Sequence, residues 1–172
     1  MSVVYTIGYE GSDIDRFITT LQVVGIEHLA DVRAVTVSRK KGFSKKQLAA
    51  RLHEVGISYT HFGELGDPKP GREAARSGRM DEFRQIYGAH LSTPSSQSQL
   101  HDLAGQVKLG ATVLLCFERN PKECHRSIVA AEIHKVLGFT VQNLFADEPD
   151  RYVRHAEKLP RFYHCESLTA AE

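Results

Sequence analysis

Along this chain, short apolar runs alternate with stretches in which apolar residues recur every three or four positions. The first pattern marks strands and the second marks amphipathic helices. Residues 3–7 predict a short apolar strand closed by Gly8. Ser12 offers an N-cap, with Asp13 and Asp15 in the first turn. Ile14, Phe17, Ile18, Leu21 and Val24 then follow at helical spacing up to Gly25. Residues 29–35 predict a second strand, and Ser44 caps a second helix bearing Leu48, Leu52 and Val55, stopped by Gly56. Residues 57–62 predict a third strand, and Pro68 and Pro70 mark a loop. Residues 72–90 predict one helix with Met80, Phe83, Ile86 and Tyr87 on one face. The polar run 92–98 predicts a connection. Leu100, Leu103 and Val107 mark another helix closed by Gly110, and residues 111–117 form the most apolar strand. Pro121 opens a helix with Ile128, Val129, Ile133, Val136 and Leu137 as its stripe, and residues 139–145 predict a fifth strand.

Five alternations of strand and helix predict an α/β fold. The expected form is a single domain, a mostly parallel five-stranded sheet with helices on both faces. Residues 1–149 are expected to form that domain. Residues 150–172 are expected to add a C-terminal extension, with a short helix over 151–159 and fraying over 169–172.

The chain has 172 residues, 41% hydrophobic and 25% charged, which is ordinary for a globular domain able to bury a core. Twenty-two Lys+Arg against 21 Asp+Glu leave a net charge of +1, so a uniformly basic nucleic-acid binder is excluded. No apolar window approaches the roughly 18 residues a membrane span needs, and the start of the chain lacks a signal-peptide pattern. Three cysteines are few and odd in number, which favours reduced thiols. The expectation is a cytoplasmic protein with no membrane partner.

Ligands of open parallel sheets bind beyond the carboxyl ends of the strands. Each of those ends here carries charged or reactive residues. The first has Tyr9 and Glu10; the second has Asp31 and Arg33, then Ser38 and Arg39; the third has His61 and Glu64. The fourth has Cys116, Phe117 and Glu118, then Cys124, His125 and Arg126 near a helix start, and the fifth has Asp147 and Glu148. Free N–H groups at a helix start favour an anion, lower a thiol pKa and disfavour a protonated imidazole. A neutral His125 suits proton transfer or metal ligation. The two thiols admit three readings: inert apolar residues, a nucleophile paired with His125, or metal ligands together with His125. Lys122 stands where the Cys-x5-Arg phosphatase pattern needs arginine, so that chemistry is not expected. Cys165 reads as incidental.

Residues 32–53 hold seven Lys/Arg and no acid, giving a near-neutral chain one basic edge. Arg33 and Arg39 suit an anion, and Tyr9, Phe43 and Phe117 could stack on a base. Glu10, Glu64 and Glu118 read first as neutralising partners for arginine. No dinucleotide, phosphate-loop, zinc-protease or nucleophile-elbow motif is present, so no cofactor is expected.

Four ordered motifs carry a resemblance. They are Thr6-Ile7-Gly8-Tyr9-Glu10-Gly11; Asp31-Val32-Arg33 with Ser38-Arg39 and Gly42-Phe43-Ser44; Glu64-Leu65-Gly66; and Cys116-Phe117-Glu118 with Pro121 and Cys124-His125-Arg126. Over about residues 3–149 the chain resembles the bacterial domain-of-unknown-function family 488. It departs from that pattern at Ala34-Val35-Thr36-Val37, where a proline often precedes the Ser-Arg pair. The resemblance implies a compact α/β fold with these motifs gathered at one pocket, and it implies no reaction.

Three functions follow as expectations. The first is an enzyme acting on an anionic, phosphorylated small molecule such as a nucleotide. In it Arg33, Arg39 and Arg126 hold the anion, Cys116 or Cys124 is the reactive thiol and His125 the acid/base. Glu118 and Glu64 orient these groups, and Tyr9, Glu10 and Ser38 line the pocket. The second is nucleic-acid binding through the 32–53 edge. The third is a metal site on Cys116, Cys124 and His125. Oligomeric state is not readable.

Overall fold

Thr112–Cys116 (β4) is apolar at nearly every position because it is the central strand of five and is covered on both faces. The computed structural model describes residues 2–154 and 159. In it β1 (Val3–Gly8) and β2 (His28–Asp31) flank β4, β3 (Ser58–His61) lies beyond β2, and β5 (Thr140–Phe145) lies beyond β1. Every pairing is parallel, in the order β3-β2-β4-β1-β5. Gly8 pairs with Cys116 and with Phe145, and Asp31 pairs with Leu115 and with His61. The carboxyl ends of all the strands therefore share one edge.

The two-residue period of the strands builds two apolar layers. Tyr5, Ile7, Leu29, Val113 and Leu115 pack under α1 (Ile14–Val24), α2 (Lys45–Glu54) and α7 (Pro149–Arg154). Val4, Ala30 and Leu114 pack under α4 (Met80–Leu91), α5 (Pro94–Leu109) and α6 (His125–Leu137), with Ala74 of α3 (Lys69–Arg76) at the margin. Helices thus cover both faces of one sheet, as the strand-helix alternation predicts. Fully buried leucines and phenylalanines such as Phe17, Leu48 and Leu103 contribute on the order of 1.5–3 kcal/mol each. No helix among the described residues is long and apolar enough to cross a membrane.

Several local expectations are corrected. Asp13, not Ser12, caps α1: its side chain accepts the Arg16 N–H, while the Ser12 hydroxyl is buried and donates to the Ala146 carbonyl. β2 ends at Asp31 because Arg33 N–H is taken by the Asp31 side chain and leaves the ladder. Residues 72–90 do not form one helix. Gly78, at φ +73, breaks the run between α3 and α4, a conformation that costs glycine little. The run 92–98 is no connection: Thr93 caps α5 and Pro94 occupies its first turn. Pro121 opens a 3-10 turn (Pro121–Glu123), and α6 starts at His125 with Cys124 as its N-cap residue. At the C-terminal end, α7 begins at Pro149, and its Tyr152 is buried in the first layer, where its hydroxyl oxygen accepts the Phe145 N–H. The helix therefore belongs to the core. The expected fraying over 169–172, and Cys165, lie outside the described residues.

Candidate functional site

At the shared strand edge is an open cavity of about 850 Å³. Tyr9, Glu10, Arg33, Ser38 and Arg39 line it, as do Cys116, Glu118, Cys124 and His125. Four separate stretches of sequence converge there because the parallel register brings their strands to a common end. Two close approaches fix the loops. A Cβ on Gly8 would lie 1.8 Å from the Glu118 carbonyl oxygen, and one on Gly66 would lie 2.2 Å from the Ala34 nitrogen. Only glycine admits that contact of backbones.

The floor is made by Cys116, Cys124 and His125, each 5% exposed or less. Cys116 closes β4 and Cys124 caps α6, so the turn between them folds one thiol back over the other. His125 Nε2 lies 2.7 Å from the Val32 carbonyl oxygen, to which it donates. That bond leaves Nδ1 facing both sulfurs, 3.7 Å from Cys116 Sγ and 3.9 Å from Cys124 Sγ. The three atoms lie within 4.8 Å of one another. The Cys116 thiol donates to Glu118 Oε2 at 3.1 Å.

Electrostatics separate the two thiols. Burial opposes ionisation of Cys124, but the Cys116 hydrogen bond, the His125 ring and Arg126 outweigh it and hold the Cys124 thiol well below the ordinary range. The same hydrogen bond with Cys124, with burial, pushes Cys116 well above that range. Burial disfavours the charged His125, yet its contacts with Cys124 and the Val32 carbonyl raise it to about 9. These shifts favour the Cys124 thiolate beside a protonated His125, with the proton kept on Cys116. The direction runs against the expected neutral His125, because the sulfur beside the ring opposes the helix end. Burial, then the Cys124 charge, lift the Glu118 carboxyl to about 7. As a donor set, two thiolates and an imidazole whose far nitrogen is fixed by a carbonyl could also hold a soft divalent ion.

Other predicted residues are placed differently. Arg33 is buried and held within the fold. Its Nε and Nη2 clasp Asp31 at 2.8 and 2.6 Å, and its Nη1 donates to Tyr9 Oη and to the Phe43 carbonyl. Tyr59 Oη donates to the same Asp31 carboxylate at 2.6 Å. Arg126 is wholly buried, donating to the Glu118 and Arg119 carbonyls and to Thr6 Oγ1. It pins the β4 loop from below and does not line the cavity. Glu64 is exposed and outside the cavity lining; its carbonyl accepts from His90 and Ser96. Glu10 Oε2 accepts the Arg119 N–H, and Tyr9 Oη donates to Ser38 Oγ. His61 points at the Arg33 carbonyl. Phe43 is buried, stacked on Tyr9 at 4.3 Å, so of the three expected stacking rings Phe117 alone is exposed.

The sequence reading missed Asp67, Arg72, Arg76 and Tyr87. Asp67 lines the cavity, buried, with Oδ1 lacking a hydrogen-bond partner; burial lifts its carboxyl to about 6. Arg72 donates to the Asp67 carbonyl and, with Arg76, Lys69, Arg39 and Lys40, supplies positive charge around the cavity. The Tyr87 ring stands 5.3 Å from the His125 ring and donates its hydroxyl to the Leu65 carbonyl. Asp67 directly follows Glu64-Leu65-Gly66, so the rule that flagged the other strand ends could have found it.

The model of the family described as "Domain of unknown function DUF488" matches residues 13–133. No curated protein and no solved structure matches the chain.

Proposed function

The chain belongs to the DUF488 family, and from the geometry of its strand edge we propose that it is an enzyme acting on an anionic, phosphate-bearing small molecule with Cys124 as nucleophile. The observation that carries this is the His125 ring: Nε2 tied to the Val32 carbonyl, Nδ1 turned to the Cys124 and Cys116 sulfurs, at the floor of a substrate-sized cavity. A nucleophile, a proton-carrying base and an orienting group for that base form the minimal set for covalent catalysis. The Cys124 sulfur bonds to the substrate's electrophilic centre as that centre's bond to the leaving group breaks, and His125 gives its proton to the departing group. Glu118, beside Cys116, takes a proton from the water that then cleaves the sulfur–substrate bond and frees Cys124. Arg39, Lys40, Arg72 and Arg76 hold the anion, a role for which Arg33, turned onto Asp31, and Arg126, buried outside the cavity lining, are poorly placed. Phe117 and the exposed Val35 and Val37 give the substrate's uncharged part an apolar contact.

The test is protection. Iodoacetamide should modify Cys124, and pyrophosphate should slow that modification while chloride at equal ionic strength does not. Arg72→Ala with Arg76→Ala should remove the protection and leave the unprotected rate unchanged. Equal protection by both anions contradicts the reading.

The spacing of the two sulfurs and Nδ1 favours a second reading, a zinc-class ion on Cys116, Cys124 and His125. Elemental analysis of the purified chain decides it. One equivalent of metal, lost in Cys124→Ala, supports the second reading; metal-free chain with a reactive Cys124 supports the first.

A further inference from the structure

We infer that Cys116 and Cys124 are a redox pair, closed into a disulfide by hydroperoxide. The inference rests on the reading of Cys124 as nucleophile and adds a modification site and a means of switching that site off. Its basis is placement. Both sulfurs lie within 4.8 Å, both residues line the cavity, and both are free thiols. A disulfide needs an S–S bond of about 2.05 Å, so the sulfurs must approach. The backbone around them is held: Arg126 fixes the Glu118 and Arg119 carbonyls, and Asn120 Oδ1 accepts the Lys122 N–H. The approach therefore falls to side-chain rotation at Cys116 and Cys124.

The two thiols are inequivalent in the sense this chemistry needs. Cys124 faces the imidazole at a helix start and is the attacking sulfur. Cys116 is held by Glu118 Oε2, an acceptor for its proton 3.1 Å away. The Cys124 thiolate attacks one oxygen of hydrogen peroxide, the O–O bond breaks and hydroxide leaves. Sulfur is oxidised to the sulfenic acid and the peroxide is reduced. The Cys116 sulfur, its proton passed to Glu118, then displaces the sulfenic hydroxyl as the S–S bond forms. That hydroxyl takes the proton from Glu118 and leaves as water. A dithiol returns the pair to the reduced state by exchange. The closed form has no thiolate at the floor and cannot attack a substrate.

The experiment treats the full-length chain, after chelation to remove metal, with hydrogen peroxide. Products are mapped by mass spectrometry of unreduced peptides. The expected product joins Cys116 to Cys124 with loss of two hydrogens. Two free thiols per chain are lost, both return with dithiothreitol, and iodoacetamide labelling of Cys124 disappears and returns in step. Cys116→Ser should still react but accumulate Cys124 sulfinic acid that dithiothreitol does not reverse. Cys124 sulfinic acid beside a free Cys116 in the wild type, or a bond to Cys165, overturns the pair and leaves the thiolate reading standing. A Cys124 inert to both peroxide and iodoacetamide overturns both.

Discussion

Two buried charged groups sit side by side at the same sheet edge, and they do opposite things. At the end of β2, Asp31 and Arg33 form a closed knot. Arg33 places its guanidinium on the Asp31 carboxylate, Tyr9 Oη and the Phe43 carbonyl, and Tyr59 completes the carboxylate. Asp31 and the hydrogen bonds to it outweigh burial and raise the Arg33 pKa further, and burial with Asp31 raises Tyr59. The knot is one permanent charge pair. At the end of β4, Cys124 and His125 each shift the other toward its charged form, and burial raises the Glu118 and Asp67 carboxyls to about 7 and about 6. The first group is held by fixed hydrogen bonds; the second has protonation capacity to spare, which the proposed chemistry needs.

The comparison breaks most sharply on stability. Arg33→Ala strands a buried carboxylate, and breaking such a pair costs about 3–5 kcal/mol. Urea unfolding should show that loss. Cys124→Ser, which leaves His125 free to give up its proton and strands no permanent charge, should shift the same curve by about 1–2 kcal/mol while removing all iodoacetamide labelling at that position. Comparable stability losses in the two variants would erase the distinction.

Gly8→Ala comes next. Its Cβ would run into the Glu118 carbonyl, and overpacking of this kind costs about 1–3 kcal/mol. The displaced loop carries Glu118 away from Cys116, so Cys124 labelling should fall as well. A variant as reactive as wild type would show that the loop position does not matter.

A smaller effect sharpens the chemical side. Glu118 rises from 4.5 to about 7 on folding, so in that window the folded chain holds a proton that the unfolded chain has lost. Its contribution is fully present below about 4.5 and is lost as pH rises toward 7. The stability of wild type relative to Glu118→Gln should therefore decline across that window and then level off. Thermal melting of the two proteins at several pH values checks it; a flat difference contradicts it.

The smallest effect concerns the basic edge. Of its seven cations, Arg33 is in the knot and Arg51 pairs with Asp15 and Glu54. Lys45 and Lys46 are exposed at the start of α2. Lys45→Ala with Lys46→Ala should change stability by under about 0.5 kcal/mol. Nucleic-acid retention at low salt that this double variant abolishes would support a polyanion role for the edge.

The fold was legible because Val3, Val4, Leu114 and their neighbours report burial on both faces, and Gly25, Gly56, Gly110 and Gly138 report the stops of α1, α2, α5 and α6. The members of the site were legible because strand ends of a parallel sheet must converge. Their roles were not. Asp31-Val32-Arg33 reads as two charges at a strand end, and nothing in that spacing says the arginine turns back on its own aspartate. Arg126 reads as a helix-start cation, yet its partners are carbonyls on residues 118 and 119, set by a turn whose path depends on packing. Gly78 hid inside an apolar period that ran through it. The Thr93-Pro94 cap was written plainly, but its polar surroundings resembled a loop.

The pH profile of Cys124 alkylation tests the central claim most directly. In wild type the iodoacetamide rate at Cys124, followed by peptide mass spectrometry, should be nearly constant between about pH 6 and 8, because the thiolate is already formed. In His125→Gln the rate should climb about tenfold per pH unit toward the ordinary thiol range. Two superimposable profiles, both rising as an ordinary thiol does, would contradict the thiolate–imidazolium floor.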